Sequence, residues 1–225
     1  MRKYWMVAGA IIVALVIVGQ VTRASVGAER RGSPPEREGC IFVTYPVKPS
    51  LGPPQPTDQE DDYRVLQGGI HLPVVPVSYS VDTSGAPAGA FDAVVASFEE
   101  WDSATSEEVF ADPDPGSVNT VSWGTLEFPG AVAVTYVWYI PRTKEVSEFH
   151  IVFSSDEDWS TSGEVDMFDV QNVATHEVGH TLALDDLRAP KDGELTMYAF
   201  VSLEETKKRD LGVGDILGIQ AIYGE

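Results

Sequence analysis

His176-Glu177-Val178-Gly179-His180-Thr181-Leu182-Ala183-Leu184-Asp185-Asp186 is the stretch on which this 225-residue chain turns. On a helix of 3.6 residues per turn, residue i+4 returns over residue i, so His176 and His180 face the same way and one divalent metal can take both imidazoles. Glu177 lies beside that face, placed to draw a proton from a water whose pKa a zinc ion lowers toward about 7. Asp186 then offers an oxygen where a chain turning back from the helix end can reach the same metal, with Asp185 as the neighbouring alternative. Further on, Leu195-Thr196-Met197-Tyr198-Ala199 places a methionine in a candidate turn.

Taken together, these residues resemble the metzincin pattern HExxHxxGxxH/D followed by a Met-turn. Aspartate in the third-ligand place resembles the variant of snapalysin-like metzincins. Near the C-terminus, Asp210-Leu211-Gly212-Val213-Gly214-Asp215-Ile216-Leu217-Gly218-Ile219-Gln220-Ala221-Ile222-Tyr223-Gly224 is similar to the closing helix of matrixins. The resemblance runs from about Gly69 to the end. It implies an α+β zincin fold, with a twisted mixed sheet, an active-site helix and a C-terminal helix. It also implies one catalytic zinc on His176, His180 and Asp186, Glu177 as general base, and Met197 as a packing floor under the metal. A substrate peptide is expected to bind in extended form by adding to an edge strand.

Three departures from the family pattern shape what is expected. Where the family has glycine at the end of the active-site helix, this chain has Ala183; a Cβ in a left-handed conformation costs roughly 1–2 kcal/mol, so the turn is either strained or displaced. Matrixins keep a structural zinc on three histidines and an aspartate, but His71 and His150 are the only histidines outside the motif and lie far apart, so no second zinc is expected. Structural calcium stays open. Asp112 and Asp114 tempt that reading, although turn chemistry in Asp112-Pro113-Asp114-Pro115-Gly116 also accounts for them, and Asp156 and Asp158 stand in an acidic, serine-rich loop. Tyr198 directly follows Met197, one place short of the zinc-binding tyrosine of astacin-like enzymes, and is not expected to be a ligand.

The rest of the chain sets the context. A net charge of −20 argues against nucleic acid as a partner, since phosphates would be repelled. With 43% hydrophobic residues the chain can bury one proper core. Residues 1–28 read as a signal peptide or N-terminal membrane anchor: Arg2 and Lys3 precede an apolar run, with small residues at Ala24 and Ala28 where a peptidase could cut. Residues 29–68 read as a Pro-rich acidic linker or short pro-segment in which Ile41-Phe42-Val43 could add to a sheet edge. Residues 69–225 are then the catalytic domain. Cys40 is the lone cysteine, so no intrachain disulfide forms. Its neighbours Gly39 and Ile41 do not match the Pro-Arg-Cys-Gly run by which matrixin propeptides block their zinc, and Cys40 reads as an incidental thiol.

Within the domain, Val74 to Val81 reads as a strand and Pro87 to Trp101 as a helix with Phe91, Val94, Val95, Phe98 and Trp101 along its core face. Three more strands are expected over 118–123, 131–140 and 148–153. Asp166 or Asp169 can cap the metal helix, whose apolar face is Val170, Val173, Ala174 and Val178. His150, entering an apolar strand, reads as a core histidine. The function expected is a monomeric, secreted or membrane-anchored zinc endopeptidase acting on protein or peptide substrates outside the cytoplasm. The alternative is a metzincin scaffold kept as an extracellular binding module, to which Ala183 and the missing third histidine would point.

Overall fold

Alternating β-branched and aromatic residues build the centre of the sheet, where Ala133-Val134-Thr135-Tyr136-Val137-Trp138-Tyr139 is buried almost throughout. The computed structural model describes residues 36–47, 62–73 and 76–224. In chain order the elements are β1 (Glu38–Pro46), β2 (Ser80–Val81), α1 (Ala90–Asp102), β3 (Thr120–Gly124), β4 (Ala133–Tyr139), β5 (Val146–Ser154), β6 (Trp159–Ser160), β7 (Phe168–Asp169), α2 (Val170–Thr181), β8 (Phe200–Val201) and α3 (Val213–Tyr223). Six strands form one sheet in the order β2-β3-β5-β4-β1-β8, while β6 and β7 pair by themselves. Strands β2, β3 and β5 run parallel, and β4 lies antiparallel to β5. This is the mixed sheet with an active-site helix and a closing helix that the sequence led us to expect.

The core lies where α1 and α2 pack together. Trp101 is fully buried and donates its indole N–H to Thr175 O of α2 at 2.7 Å, so the largest side chain of the core is also hydrogen-bonded. Phe98 stacks on Tyr79 with centroids 3.6 Å apart and meets Phe110 edge-on. Each such side chain contributes roughly 1.5–3 kcal/mol through removal from water. The buried stripe of α1 is Ala90, Val94, Ser97, Phe98 and Trp101. Phe91, expected in that stripe, is exposed, because the face is centred on Val94, Phe98 and Trp101 and rotates Phe91 outward.

Several expectations are corrected by tertiary pairing. Ile41-Phe42-Val43 does add to the sheet, as expected, but the strand is longer than that patch: β1 takes nine residues of the stretch read as linker and pairs antiparallel with β4 over Glu38↔Tyr139 to Thr44↔Ala133 and parallel with β8 at Tyr45↔Phe200 and Pro46↔Val201. Residues 64–66 likewise pair with the end of α2, through the Val65↔Leu184 bridge and Leu66 N to Ala183 O at 2.8 Å. The folded unit therefore begins before Gly69. The strand expected from Val74 shrinks to a bridge at Val77 and the two residues of β2, with Val74 and Val75 outside the described residues. His150 is half-exposed and pairs with Glu148 at 3.0 Å instead of entering the core. The targeting run, Met1 to Ala28, also lies outside the described residues. Among those described, no helix is long and apolar enough to cross a membrane.

One buried carboxylate ties the closing helix to the segment around Met197. Asp215 accepts from Thr196 N at 2.7 Å, Met197 N at 3.0 Å and Gly212 N at 2.9 Å. Burial pushes its pKa up, and the three N–H groups work against that rise. Asp215→Ala would leave three buried donors unpaired and should cost on the order of 3–5 kcal/mol, read as a lowered urea midpoint.

Candidate active site

Asp169 starts the helix that carries the motif. Its side chain accepts from Asn172 N as an N-cap and binds Arg209, whose Nε lies 2.8 Å away. From that start, α2 delivers His176, Glu177 and His180 to the interior, all essentially without exposure. Val170, Val173, Ala174 and Val178 are buried as the helical period required. Gly179 lies between the two histidines because nothing larger fits: a Cβ there would come within 2.3 Å of Met197 Sδ and 2.8 Å of Trp101 Cζ2. Met197 thus packs directly under α2, at the level of the histidines.

How the helix ends decides which aspartate reaches the histidines. Ala183 has φ 69°, in the left-handed region. Its N–H bonds His180 O, and Leu184 N bonds Gly179 O, both at 3.1 Å, which is the Schellman pattern that normally asks for glycine. The chain beyond is gripped on both sides: Asp185 N donates to Arg64 O at 2.7 Å, while Leu187 N donates to Met197 O and Ala199 N to Leu187 O, each at 2.8 Å. Between those two clamps, Asp186 turns inward. Asp185 points away, its carboxylate on Arg64 Nε at 3.0 Å.

The donor atoms converge. His176 Nε2 lies 3.2 Å from His180 Nε2, and Asp186 Oδ1 lies 3.5 Å and 3.6 Å from the two. Zinc bonds of about 2.0–2.1 Å at tetrahedral angles space their donors about 3.4 Å apart, so the set has the size of a zinc site. The tautomers agree. His176 Nδ1 lies 2.7 Å from Thr196 O and His180 Nδ1 lies 2.9 Å from Leu184 O; carbonyls only accept, so each Nδ1 carries a proton and Nε2 is the nitrogen left to turn a lone pair toward a metal. Burial lowers the His180 pKa and keeps the ring neutral. Burial would raise Asp186, but His176, His180 and Arg188 outweigh it and hold the carboxyl at about 2. Arg188 Nη2 binds the outer oxygen of Asp186 at 2.8 Å. Once a cation displaces any proton from the two Nε2 atoms, the three inward atoms are all acceptors, the donor set of a metal site. They are the one cluster of three or more potential metal-binding side chains among the described residues.

Glu177 stands beside this set. Its Oε2 accepts from Thr135 Oγ1 of β4 at 2.5 Å; its Oε1 is buried and makes no close hydrogen bond, with the Thr44 hydroxyl of β1 the other polar group near the carboxyl. Burial raises its pKa, against the lowering effect of His180 and of the hydroxyls near it. The phenyl ring of Phe42, in β1, lies flat on the His180 imidazole with centroids 4.1 Å apart and planes 8° apart. Thr135 and Arg188 escaped the sequence reading. Phe42 and Asp215 entered it only as members of the Ile41-Phe42-Val43 run and of the closing helix, without a role at the site. The turn reading of Asp114 holds, since its Oδ1 accepts from Gly116 N at 2.8 Å.

Comparison with known proteins matches residues 124–224 to the matrixin family. That region is matrixin-like. It includes β4, the whole of α2, Met197 and α3. The chain is 40% identical over 81 residues to Metalloendoproteinase 1 of Glycine max, covering 32% of this chain and 24% of that protein. It is 36% identical over 84 residues to Metalloendoproteinase 2-MMP of Arabidopsis thaliana, covering 34% of this chain and 21% of that protein. The matched stretch therefore spans about a quarter or less of these relatives. β1 and residues 64–66 lie before the matrixin-like region, although they touch its site.

Two substitutions test the turn. Ala183→Gly removes a strain of roughly 1–2 kcal/mol and loses one buried methyl worth about 0.8 kcal/mol, so the melting temperature should rise by a few degrees at most. Asp186→Ala should abolish zinc retention on dialysis, while Asp185→Ala should leave zinc in place.

Proposed function

We propose that this chain is an extracytoplasmic zinc-dependent endopeptidase. The observation that carries this reading is the convergence of His176, His180 and Asp186 beside a buried Glu177 oxygen that makes no close hydrogen bond. His176, His180 and Asp186 would hold the zinc. When bound, zinc supplies a water of lowered pKa and polarises the peptide carbonyl.

The chain's own residues do the rest. Thr135 pins one oxygen of Glu177, which leaves the other free to accept a proton from the attacking water and return it to the leaving amine. Thr196 and Leu184 hold the two imidazoles by Nδ1, so that Nε2 is the nitrogen turned inward. Met197 and Trp101 fix the level of the helix under them. The peptide would lie extended along the sheet beside β4, its main chain held by strand addition. The apolar run Val7 to Val18 after Arg2 and Lys3 supports export, by a cleaved signal or a retained anchor.

A binding module built on the same scaffold is the second reading. One observation favours it: the donors are sealed beneath β1. The two separate by experiment. With zinc loaded, the chain should cleave an unstructured protein, and Glu177→Ala should keep about one zinc per chain while cleavage falls by a factor on the order of 100 or more. Loss of zinc in that variant would contradict the role given to Glu177.

A further inference from the structure

We propose that the cavity between the C-terminal half of α1 and residues 108–113 binds a small organic cation of the guanidinium class, free or at the end of an arginine side chain. The cavity shares no residue with the candidate metal centre, so the proposal stands apart from the peptidase reading. Its volume is about 150 Å³, room for about six non-hydrogen atoms. Phe98 and Phe110 line its apolar part. Around them stand four carboxylates, Glu99 and Asp102 from α1 and Glu108 and Asp112 from the segment after it. No lysine or arginine occurs between Arg64 and Arg142, and none of the four carboxylates forms a salt bridge among the described residues.

Tyr79 sets this cavity apart from a ring of surface acids. It lines the cavity, is only 2% exposed, stacks on Phe98 and meets Phe110 edge-on, yet its hydroxyl makes no hydrogen bond among the described residues. Burial, and then the charges of Glu99, Asp102 and Asp112, push its pKa up, so a neutral phenol faces those three carboxylates. Asp102 Oδ1 accepts from Val109 N at 2.9 Å and Phe110 N at 3.1 Å, which leaves Oδ2 with no hydrogen bond. The walls are tied together without a ligand: Val77 N donates to Val109 O at 2.9 Å and Asp114 N to Tyr79 O at 2.7 Å. The spread of the carboxylates selects the cation. A bare metal ion needs its oxygens in one shell, and among the described residues only His176, His180 and Asp186 bring three such ligand atoms within 4.8 Å of one another. A guanidinium spreads its N–H donors over three nitrogens in a planar fork, so it can serve acceptors too far apart for one metal, and its flat face tolerates aromatic neighbours.

Titration of the zinc-loaded full chain, followed by backbone amide NMR shifts, tests this with N-ethylguanidinium as the probe. The neutral isostere N-ethylurea, ethylammonium and calcium serve as controls. The expected result is saturable shifts in residues 77–79, 98–102 and 108–113, with a Kd at least ten-fold lower than that of N-ethylurea and several-fold lower than that of ethylammonium. Tyr79→Phe, which keeps the ring, and Glu99→Gln, on the exposed rim, should each weaken binding several-fold. Tighter binding of Nα-acetyl-arginine methylamide than of N-ethylguanidinium would support the site and make a protein side chain its source; weaker binding would support it with a free small guanidine as the ligand. Equal affinity for N-ethylurea, a Kd unchanged in either variant, or displacement of the probe by calcium with the same shifts would overturn the proposal.

Discussion

Three buried side-chain atoms that converge on one point are the constraint on which the rest of this structure depends. Two imidazole nitrogens and a carboxylate oxygen lie within 3.6 Å of one another and almost wholly out of water, an arrangement that needs a positive charge among them. The fold supplies the restraints that bring them together. Asp215 anchors the N–H groups of Thr196 and Met197, which leaves Thr196 O free to accept the hydrogen bond from His176 Nδ1–H. The closing helix therefore acts on the candidate metal centre through one peptide unit. A histidine ligand is only as well aimed as the group that holds its other nitrogen, and here that group is held in turn by a buried carboxylate.

The end of α2 is a second place where local cost is accepted for geometry. Ala183 sits at φ 69°, where a Cβ is disfavoured, and the backbone bonds around it are those of a glycine-type helix end. The strain persists because residues 64–66 and 197–199 clamp the chain on either side. Shifting the turn by one residue would break both clamps and bring Asp185 inward, away from Arg64. The position of Asp186 is thus fixed by pairing with distant segments.

How much was legible in the sequence follows from which restraints are local. His176, Glu177 and His180 could be placed from helical period alone, and Asp169 could be placed as a cap from residue type. The end of the helix could not, because alanine at 183 contradicts the local rule that a tertiary clamp overrides. Thr135 carried no mark: a threonine in a strand is ordinary until the helix beside it contributes a glutamate. β1 was legible only at its centre. Ile41-Phe42-Val43 stood out as able to add to a sheet edge, whereas the prolines and acidic residues around it read as linker, and what extends the strand to Glu38–Pro46 is the open edge of β4, far away in sequence. His150 and Phe91 were misplaced for a related reason, since each lies near the rim of an apolar element, where period does not say which neighbours cover it.

The most direct measurement is X-ray absorption at the zinc edge on the zinc-loaded full chain. Two imidazole nitrogens and oxygen donors at about 2.0–2.1 Å, with no sulfur, are expected. A sulfur shell at about 2.3 Å would put Cys40 on the metal, and a site with fewer than two imidazoles would remove His176 or His180 from it; either result would contradict the account.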